Sequence, residues 1–286
     1  MSKSIFLTDL NTDPESFDKI SSFYKVCHGF EGERIIFDFS NVKWIDAHLS
    51  APMMLVIEKI RQKGNFVDFV NAIPRVEDIL RRNGFFSTNN LNNRGTVIPL
   101  SSFKVDEGVS YSQFIRSELD RLKLPKMTDP LRLKIYEGLD EVFMNSSIHA
   151  GSEMPIFACG QFFPKYERID FSITDGGIGI NGAYSKAFGS SISAVEAIDW
   201  AMADGNTTRQ GDIPGGLGLK ILRSFIHLNS GRFIVVSRNG YWMEQNGRVQ
   251  RVYMKHEFPG TVVTIEVNTA DQNNYDLKAP DPQNLW

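Results

Sequence analysis

The sequence has few cysteines and no long apolar run, and both absences narrow the class of protein. Cys27 and Cys159 are the only cysteines among 286 residues, and they lie in unrelated contexts without metal-type spacing. This usage fits a reducing compartment and argues against a zinc site. No apolar run reaches the about 18 residues of a membrane-spanning helix, and the opening stretch MSKSIFLTDLNTDPES is too weakly apolar for a secretory signal. We therefore expect a cytoplasmic protein.

The sequence also lacks a large excess of charge of one sign. It carries 31 Lys and Arg against 34 Asp and Glu, a net charge of −3, with an ordinary 42% of hydrophobic residues. A surface for nucleic acid or for an anionic membrane would need a clear positive excess. We expect neither partner, so the function has to be inferred from local motifs.

Apolar periodicity predicts a small α/β domain in the first part of the chain, residues 1–105. Its predicted elements are strands at 34–40, near 43–45 and at 66–70, and helices at about 48–63 and 74–83. Residues 87–110 are rich in Asn and Ser and predict a loop, one strand at 96–100 and a linker.

A second domain, residues 106–270, is predicted to be α/β as well. Its predicted elements are helices at about 111–122 and from the Thr128-Asp129 cap to Gly151, and strands at 155–163, 168–174, 231–237, 250–256 and 261–267. The segment 181–214 holds one predicted helix, SAVEAIDWAMA, and an insertion of that length is typical of a functional lid. Residues 271–286 are expected to be a loosely ordered tail.

The helix that follows Pro130 has a polar edge beside its apolar stripe. Glu141, Asn145 and His149 follow one another at spacings of four, so they share one side of the helix. That side borders the apolar stripe, which consists of Leu131, Ile135, Leu139, Val142 and Phe143. Either a solvated helix face or the floor of a binding site explains this arrangement, and both remain open on this segment alone.

The stretch RIDFSITDGGIGI predicts a half-buried strand that ends in Asp175 and several glycines. The carboxylate could accept a hydrogen bond from an exocyclic amine, although Asp-Gly is also a plain turn signal. Residues 177–182 spell G-x-G-x-x-G, but dinucleotide binding requires a helix and a second parallel strand next. The following AYSKAFGSSIS predicts no helix, so we reject that interpretation, and no P-loop motif occurs in the sequence.

A third stretch, DIPGGLGLKIL at 212–222, places glycines directly before an apolar helix. Glycine permits either a tight turn or the close approach of an anion. A helix N-terminus offers unpaired N–H groups and the positive end of the helix dipole to phosphate. Lys220 and Arg209 are the nearest cations that could join such a site.

Three motifs in this order, with about 30 to 40 residues between them, resemble the N, G1 and G2 boxes of the GHKL ATPase superfamily, which includes gyrase and the histidine kinases: Glu141-x-x-x-Asn145, Asp175-x-Gly177-x-Gly179 and Gly216-Leu217-Gly218-Leu219. The Gly260-Thr261 pair is similar to the superfamily's final nucleotide-binding box. The resemblance covers about residues 111–268. It implies the Bergerat fold, an α/β sandwich in which helices cover one face of a mixed sheet, with ATP and Mg²⁺ between helix and lid.

The resemblance also implies roles for the residues of these motifs. Asn145 would bind Mg²⁺, Asp175 would accept from the adenine amine, and Thr261 would support the adenine. Glu141 would act as general base on the attacking water, with Mg²⁺ supplying much of the electrostatic stabilisation. The glycine-rich loops and nearby cations would complete the nucleotide site, with Gly177, Gly179, Arg209, Gly216, Leu217, Gly218, Leu219 and Lys220 in the predicted binding set.

The first domain resembles STAS domains, the anti-sigma-factor antagonist type, through IIFDFSNVKWID, the helix after it, and VDFVNAIPRVEDILRRNGF. Their phosphoacceptor motif is Asp-Ser-Ser/Thr-Gly at a helix start. Here the chain reads Asp46-Ala47-His48-Leu49, so the resemblance does not extend to the acceptor serine or threonine.

Three functions remain open on the sequence. The favoured one is a nucleotide-gated regulatory switch that binds ATP and hydrolyses it slowly with Mg²⁺. The alternatives are a serine/threonine kinase of anti-sigma-factor type acting on a separate STAS-domain partner, and an interaction module with a vestigial ATP site. A histidine kinase is not expected, because residues 105–129 are too short for its helical hairpin and contain no histidine. Besides ATP we expect a regulatory protein partner, with a homodimer as a further alternative.

Overall fold

The structure is a computed structural model that describes residues 2–86, 95–122, 124–149, 151, 153–203, 206 and 217–276. Its helices are α1 (Pro14–Cys27), α2 (Ser50–Arg61, after a 3₁₀ turn at Ala47–Leu49), α3 (Pro74–Arg82), α4 (Gly108–Arg121), α5 (Asp129–His149), α6 (Gly179–Phe188), α7 (Ala194–Met202) and α8 (Leu217–Leu228). Its strands are β1 (Ser2–Leu10), β2 (Arg34–Ile45), β3 (Phe66–Val70), β4 (Val97–Phe103), β5 (Ile156–Phe163), β6 (Arg168–Asp175), β7 (Arg232–Gln245) and β8 (Arg248–Asn268). Among these helices, none combines the length and the apolarity that crossing a bilayer requires.

The first sheet is parallel, with strand order β1–β2–β3. Parallel neighbours need a crossover connection, which α1 supplies between β1 and β2 and α2 supplies between β2 and β3. α1 begins where it does because the Asp13 side chain accepts from the Ser16 N–H and Pro14 follows directly. The strands predicted at 34–40 and 43–45 form one strand, since β2 continues through irregularities in its pairing with β1.

The second sheet has the strand order β4–β5–β6–β8–β7 in the described residues, and all neighbouring strands are antiparallel. β4 joins its edge by pairing with β5. The strand predicted at 96–100 is therefore part of this sheet although it precedes the predicted boundary at residue 105. The mixed α/β class is as predicted, whereas the division into two domains stays a prediction.

A layer of helices lies between the two sheets. Phe23 of α1 contacts Phe37 of the first sheet, and Phe17 of the same helix contacts Tyr241 of the second. Residues of both halves belong to one buried cluster, which also includes Leu55 of α2 and Phe157 of β5. The first half of the chain therefore covers one face of the second sheet and shares a hydrophobic core with it.

Helices α4, α5 and α8 cover the opposite face of the second sheet. The apolar stripe predicted for α5 is confirmed, because all five of its residues are buried. The molecule is thus layered as sheet, helices, sheet, helices, and the predicted site residues lie on the second sheet and on the helices that cover its outer face.

A helix that the sequence did not predict, α6, follows Asp175. Its glycines and its Asn181 give it a low intrinsic helix propensity, but its aromatic residues pack on α7, where Tyr184 and Phe188 both contact Trp200. The absence of a helix was therefore a wrong reason to reject a dinucleotide site. The second reason holds, because both neighbours of β6 are antiparallel.

Part of the insertion predicted as a lid is packed against the long hairpin of β7 and β8. α7 begins at a capping box formed by Ser193 and Glu196. Its Asp199 accepts hydrogen bonds from Nε1 of Trp242, at 3.0 Å, and from Arg251. Of the remaining predicted lid, residues 204–205 and 207–214 lie outside the described residues.

β7 and β8 are longer than predicted. β8 passes through Pro259 and Gly260, so the strands predicted at 250–256 and 261–267 form one strand. β7 continues to Gln245 beyond an irregularity at Arg238, whose φ is 52°. A loosely ordered tail is the wrong description for residues 271–276, because Tyr275 packs against Phe225. Residues 277–286 lie outside the described part of the chain.

Candidate functional site

Four segments that carry predicted site residues meet at one end of the second sheet. β6 ends at Asp175, and β8 places Thr261 beside it in the ladder. Ser146 of α5 lies beside the Asp175 side chain and favours its ionised form. Further toward the start of α5, Glu141 contacts Leu219 in the first turn of α8. Stretches that are far apart in the sequence are therefore neighbours in the fold.

Asp175 is a buried carboxyl group with several hydrogen-bond donors around it. Its Oδ1 accepts from the N–H of Gly177 at 3.0 Å, and the Ser146 side chain and the Thr261 N–H lie near enough to favour its ionised form. Burial raises its pKa to about 6, against the effect of these groups and of the Lys59 ammonium. A carboxyl group that titrates near neutral pH at a strand end is more typical of a functional site than of a plain turn.

Two glycines beside Asp175 allow close backbone contacts. A Cβ on Gly260 would lie 1.9 Å from the carbonyl oxygen of Asp175. Gly179 has a φ of +77°, and a Cβ there would lie 2.7 Å from Cγ of Arg238. Both positions need glycine for the fold itself, so their presence does not by itself indicate a ligand.

Thr261 belongs to a small polar cluster at the same strand ends. Its Oγ1 lies 3.2 Å from Oγ of Ser237 on β7, and that hydroxyl accepts from the Ile180 N–H at 2.9 Å. Thr261 is half-buried. The cluster ties β7 and β8 to the start of α6, and it leaves hydroxyl groups next to the Asp175 carboxyl.

Glu141 lies at the N-terminus of α8. Its Oε2 accepts a hydrogen bond of 3.1 Å from the backbone N–H of Leu219, in the first turn of that helix. A carboxylate is favourable there, because the first N–H groups of a helix have no partner within it and carry the positive end of the dipole. The same property suits a phosphate group.

Gly218 has a packing role that the sequence did not predict. α5 and α8 cross so closely that a Cβ on Gly218 would lie 3.1 Å from backbone atoms of Glu137 and Gly138. A Cβ on Gly138 would lie 2.6 Å from the carbonyl oxygen of Gly218. The close crossing of the two helices therefore favours glycine at 218, whether or not its N–H also meets a phosphate.

Of the remaining predicted site residues, some lie in the first turn of α8, and the others lie outside the described residues. Leu217 begins α8, Leu219 is half-buried and Lys220 is exposed. Arg209 and Gly216 lie outside the described residues, so their predicted contacts with phosphate stay predictions.

Asn145 is a fitting ligand for the predicted Mg²⁺. It is half-buried and lies one helical turn after Glu141, on the edge of α5 that faces this site. Mg²⁺ prefers oxygen ligands and usually keeps several waters, so the amide oxygen of Asn145 suits it.

Two basic residues near Asp175 were not predicted from the sequence. Lys59 of α2 donates a hydrogen bond of 2.8 Å to the carbonyl oxygen of Gly176, directly after Asp175. Arg238 of β7 lies against Gly179 and pairs with Glu257. Neither belongs to a motif, and the first lies more than a hundred residues away in the sequence, so only the packing of the two halves brings it to the site.

A second polar cluster, also missed, is buried between the two halves of the chain. It consists of Asp46, His48 and Asp170, with donor atoms within 4.8 Å of one another. Its signal in the sequence was Asp46-Ala47-His48, a polar start to a helix that is otherwise apolar. His48 and Asp170 are both fully buried.

Hydrogen-bond directions fix the proton on His48. Thr12 Oγ1 donates to Asp46 at 2.7 Å, so it accepts from Nε2 of His48 at 2.9 Å. Nδ1 then carries no proton and faces Oδ2 of Asp170 at 3.6 Å. Burial lowers the pKa of His48 to about 4 and raises that of Asp170 well above its usual range. At 3.6 Å the two groups are not hydrogen-bonded, so both are buried polar groups without a hydrogen bond to each other, and the raised pKa of Asp170 favours its neutral form.

This cluster does not fit a metal ion, because a guanidinium already supplies its positive charge. Arg168 lies 3.3 Å from Asp170 and 3.8 Å from Asp46, and it also pairs with Glu266. Arg232 pairs with Glu266 from the other side. A divalent cation between the carboxyl groups would meet the charge of Arg168 at close range. We assign the cluster to the interface between the halves.

Comparison with protein-family models finds no match for this chain, and comparison with curated protein sequences finds none either. The site is therefore interpreted from its own residues and from the resemblance of its motifs.

The stretch Asp46-Ala47-His48-Leu49, which the sequence compares with the STAS phosphoacceptor motif, is buried. Ala47 and His48 are fully buried, and the N–H of Ala47 donates to Oε1 of Gln161 in the second sheet at 2.8 Å. The start of this helix is a packing surface between the halves.

Proposed function

We propose that this protein is an ATP-binding regulatory switch of the GHKL type, with slow Mg²⁺-dependent hydrolysis of ATP. One observation carries the proposal. A buried carboxyl group of near-neutral pKa, Asp175, lies at a strand end and is linked through α5 to a helix N-terminus at which a second carboxylate, Glu141, already accepts an N–H. An acceptor for an amine at one end and a site for anions at the other match the two ends of ATP.

Each group has a role in this arrangement. Ionised Asp175 accepts from the exocyclic amine of adenine, with the hydroxyl groups of Thr261 and Ser237 beside it. The N-terminus of α8 receives phosphate oxygens through its N–H groups. Glu141, at that same helix end, takes a proton from the water that attacks the terminal phosphate. Mg²⁺ held by Asn145 would neutralise charge that develops on the phosphates.

The packing of the two halves supports a switch, and the alternative, a kinase that acts on a separate STAS-domain partner, is left to the test below. α1 and α2 cover one face of the second sheet, and α2 reaches the loop after Asp175 through Lys59. Nucleotide bound at this loop can therefore influence the first half. Meanwhile Ala47 and His48, at the position of a STAS phosphoacceptor, are fully buried.

Ligand-dependent stability of the full chain tests this proposal. A ligand that binds only the native state raises its melting temperature by mass action. We expect Mg²⁺-ATP to raise the melting temperature in the millimolar range and Mg²⁺-GTP to raise it less, because guanine presents a carbonyl oxygen where adenine presents its amine. No rise with millimolar ATP would contradict the proposal. Phosphate release without label transfer to a second protein then distinguishes the switch from a kinase.

A further inference from the structure

The loop that follows Asp175 rests on a helix of the other half of the chain. Nζ of Lys59 in α2 donates to the Gly176 carbonyl oxygen at 2.8 Å. A Cβ on Gly176 would lie 2.9 Å from Leu55, 3.0 Å from Cε of Lys59 and 3.2 Å from Met154. Gly176 is buried in this contact, so the loop has no room to move toward α2.

Lys59 is also a charged neighbour of Asp175. Its ammonium favours the ionised carboxylate, while burial of Asp175 opposes ionisation and raises the pKa. Burial lowers the pKa of Lys59 itself, Asp175 opposes that change, and Arg238 adds to it. Among the charged groups around the loop, Arg238 pairs with Glu257, and Glu141 lies further along α5. Lys59 is thus the cation through which the first half acts on Asp175.

We propose that Lys59 is a positioning residue of the nucleotide site, through which the first half of the chain sets the affinity for ATP. It holds the Gly176 carbonyl and keeps a counter-charge beside Asp175. The inference rests on the proposed function, since it concerns the same site, and it adds a dependence on a residue outside the motifs.

Two effects are expected when the ammonium is removed. The carbonyl of Gly176 loses its donor, so the loop is held by packing alone. The Asp175 carboxyl loses a favourable charge, so it is protonated at higher pH and is then a weaker acceptor for the adenine amine. The first effect lowers affinity at every pH, whereas the second moves the pH at which affinity is lost.

Calorimetric titration of the full chain with Mg²⁺-ATP between pH 5 and pH 8.5, on wild type and three variants, separates these effects. Lys59→Met removes the charge and keeps much of the apolar stem, and Lys59→Arg retains a donor and a charge. Arg61→Met is the control, because Arg61 lies on the same helix but pairs with Glu58 on the surface.

We expect Lys59→Met to bind ATP about threefold to tenfold more weakly at pH 7, less than the loss of a charged hydrogen bond to the ligand itself, because Lys59 acts on the site through the loop. Its loss of affinity toward low pH should have a midpoint about one pH unit above that of wild type. Lys59→Arg should restore most of the affinity and the midpoint, and Arg61→Met should behave as wild type.

An unchanged affinity and pH midpoint in Lys59→Met, with ATP bound by wild type, would overturn this inference and leave the proposed function standing. A lower melting temperature of Lys59→Met would also overturn the inference if the pH midpoint of ATP affinity did not move, because the effect of the substitution would then be purely structural. Failure of wild type itself to bind ATP would overturn the proposed function and this inference with it.

Discussion

The carboxylate of Glu141 accepts a hydrogen bond of 3.1 Å from the backbone N–H of Leu219, so a side chain of α5 caps the first turn of α8. This contact changes what is expected of Glu141. On the sequence alone it would touch only the attacking water, whereas in the fold it also lies where α8 would receive phosphate. A negative charge at this point repels phosphate, so we expect Glu141 to act on the attacking water and not to bind the nucleotide.

Glu141→Gln should therefore abolish turnover without weakening ATP binding. The amide oxygen of Gln can still accept from Leu219, and the lost charge removes a repulsion, so we expect an affinity equal to wild type or up to about tenfold tighter. Phosphate release should fall by about 10² to 10⁴, the usual contribution of a general base. A coupled phosphate assay and calorimetry on the same preparation measure both quantities. Wild-type turnover in this variant would remove Glu141 from the role of base.

Asp175→Asn should stabilise the protein without ligand at neutral pH. The pKa of Asp175 is raised from 3.8 to about 6, so the native state binds more protons than the unfolded state between these values, and stability falls as pH rises through them. A shift of two pH units corresponds to roughly 3 kcal/mol, and the amide avoids up to that cost. Urea denaturation at pH 7 and pH 4 checks the sign, with the gain expected at pH 7 and small at pH 4. A loss of stability at pH 7 would show that the charged form supports the fold.

Gly138→Ala should destabilise the protein although alanine is the better helix former. The added methyl group would lie 2.6 Å from the Gly218 carbonyl oxygen, so α5 and α8 would have to separate. Overpacking of this kind costs about 1 to 3 kcal/mol, more than the up to about 1 kcal/mol of helix propensity gained. Gly108→Ala is the matched control, because its nearest contact of 3.6 Å is ordinary. Equal denaturation midpoints for the two variants would contradict the close crossing.

Asp170→Asn should be tolerated, whereas Asp170→Ala should not. If Asp170 is neutral, the uncharged and nearly isosteric amide of asparagine replaces it at a cost of about 1 kcal/mol. Alanine leaves a buried imidazole and the Arg168 guanidinium short of partners, at a cost of about 3 kcal/mol or more. Chemical denaturation of both variants measures the difference. Equal large losses in both variants would show that Asp170 is ionised and pairs with Arg168.

The pH dependence of stability, compared between wild type and Asp170→Asn, gives a further check on Asp170. Its raised pKa means that the native state holds a proton that the unfolded state releases above its ordinary value, so wild type loses stability as pH rises above that value. Asp170→Asn has no such proton. The free energy of unfolding of the variant should therefore increase relative to that of wild type from pH 4 to pH 7. A constant difference between the two proteins would contradict a neutral Asp170 carboxyl group.

Local sequence signals predicted the elements that depend mainly on local physics. The apolar stripe of α5 is readable because buried positions in a helix recur every three to four residues, and α7 is readable from Ser193 and Glu196, a capping box with an apolar stretch after it. α6 could not be predicted, since its weak helix formers are held by the ring contacts of Tyr184 and Phe188 with α7. Single-sequence patterns do not carry such tertiary contacts.

The candidate site was predictable only where its residues belong to spaced motifs. Asp175 and Glu141 stand in recognisable patterns, and the fold brings their segments together. Lys59 contacts Gly176, and Asp170 lies beside His48, so each of these contacts joins the two halves of the chain. No spacing in the sequence indicates either contact. Gly218 was predicted to bind phosphate, yet its close packing against Glu137 and Gly138 is a second reason for a glycine at this position.

Calorimetric titration of the full chain with Mg²⁺-ATP, for wild type and Asp175→Asn at pH 7.5, tests the central claim most directly. Asp68→Asn is the control, because it removes the same charge from an exposed pair with Arg34 on the first sheet. A hydrogen bond to a charged acceptor is worth about 1.5 to 3 kcal/mol. We therefore predict that Asp175→Asn binds ATP roughly ten- to a hundredfold more weakly while Asp68→Asn binds as wild type. Equal affinities for all three proteins, or no binding by wild type, would contradict an adenine site at Asp175.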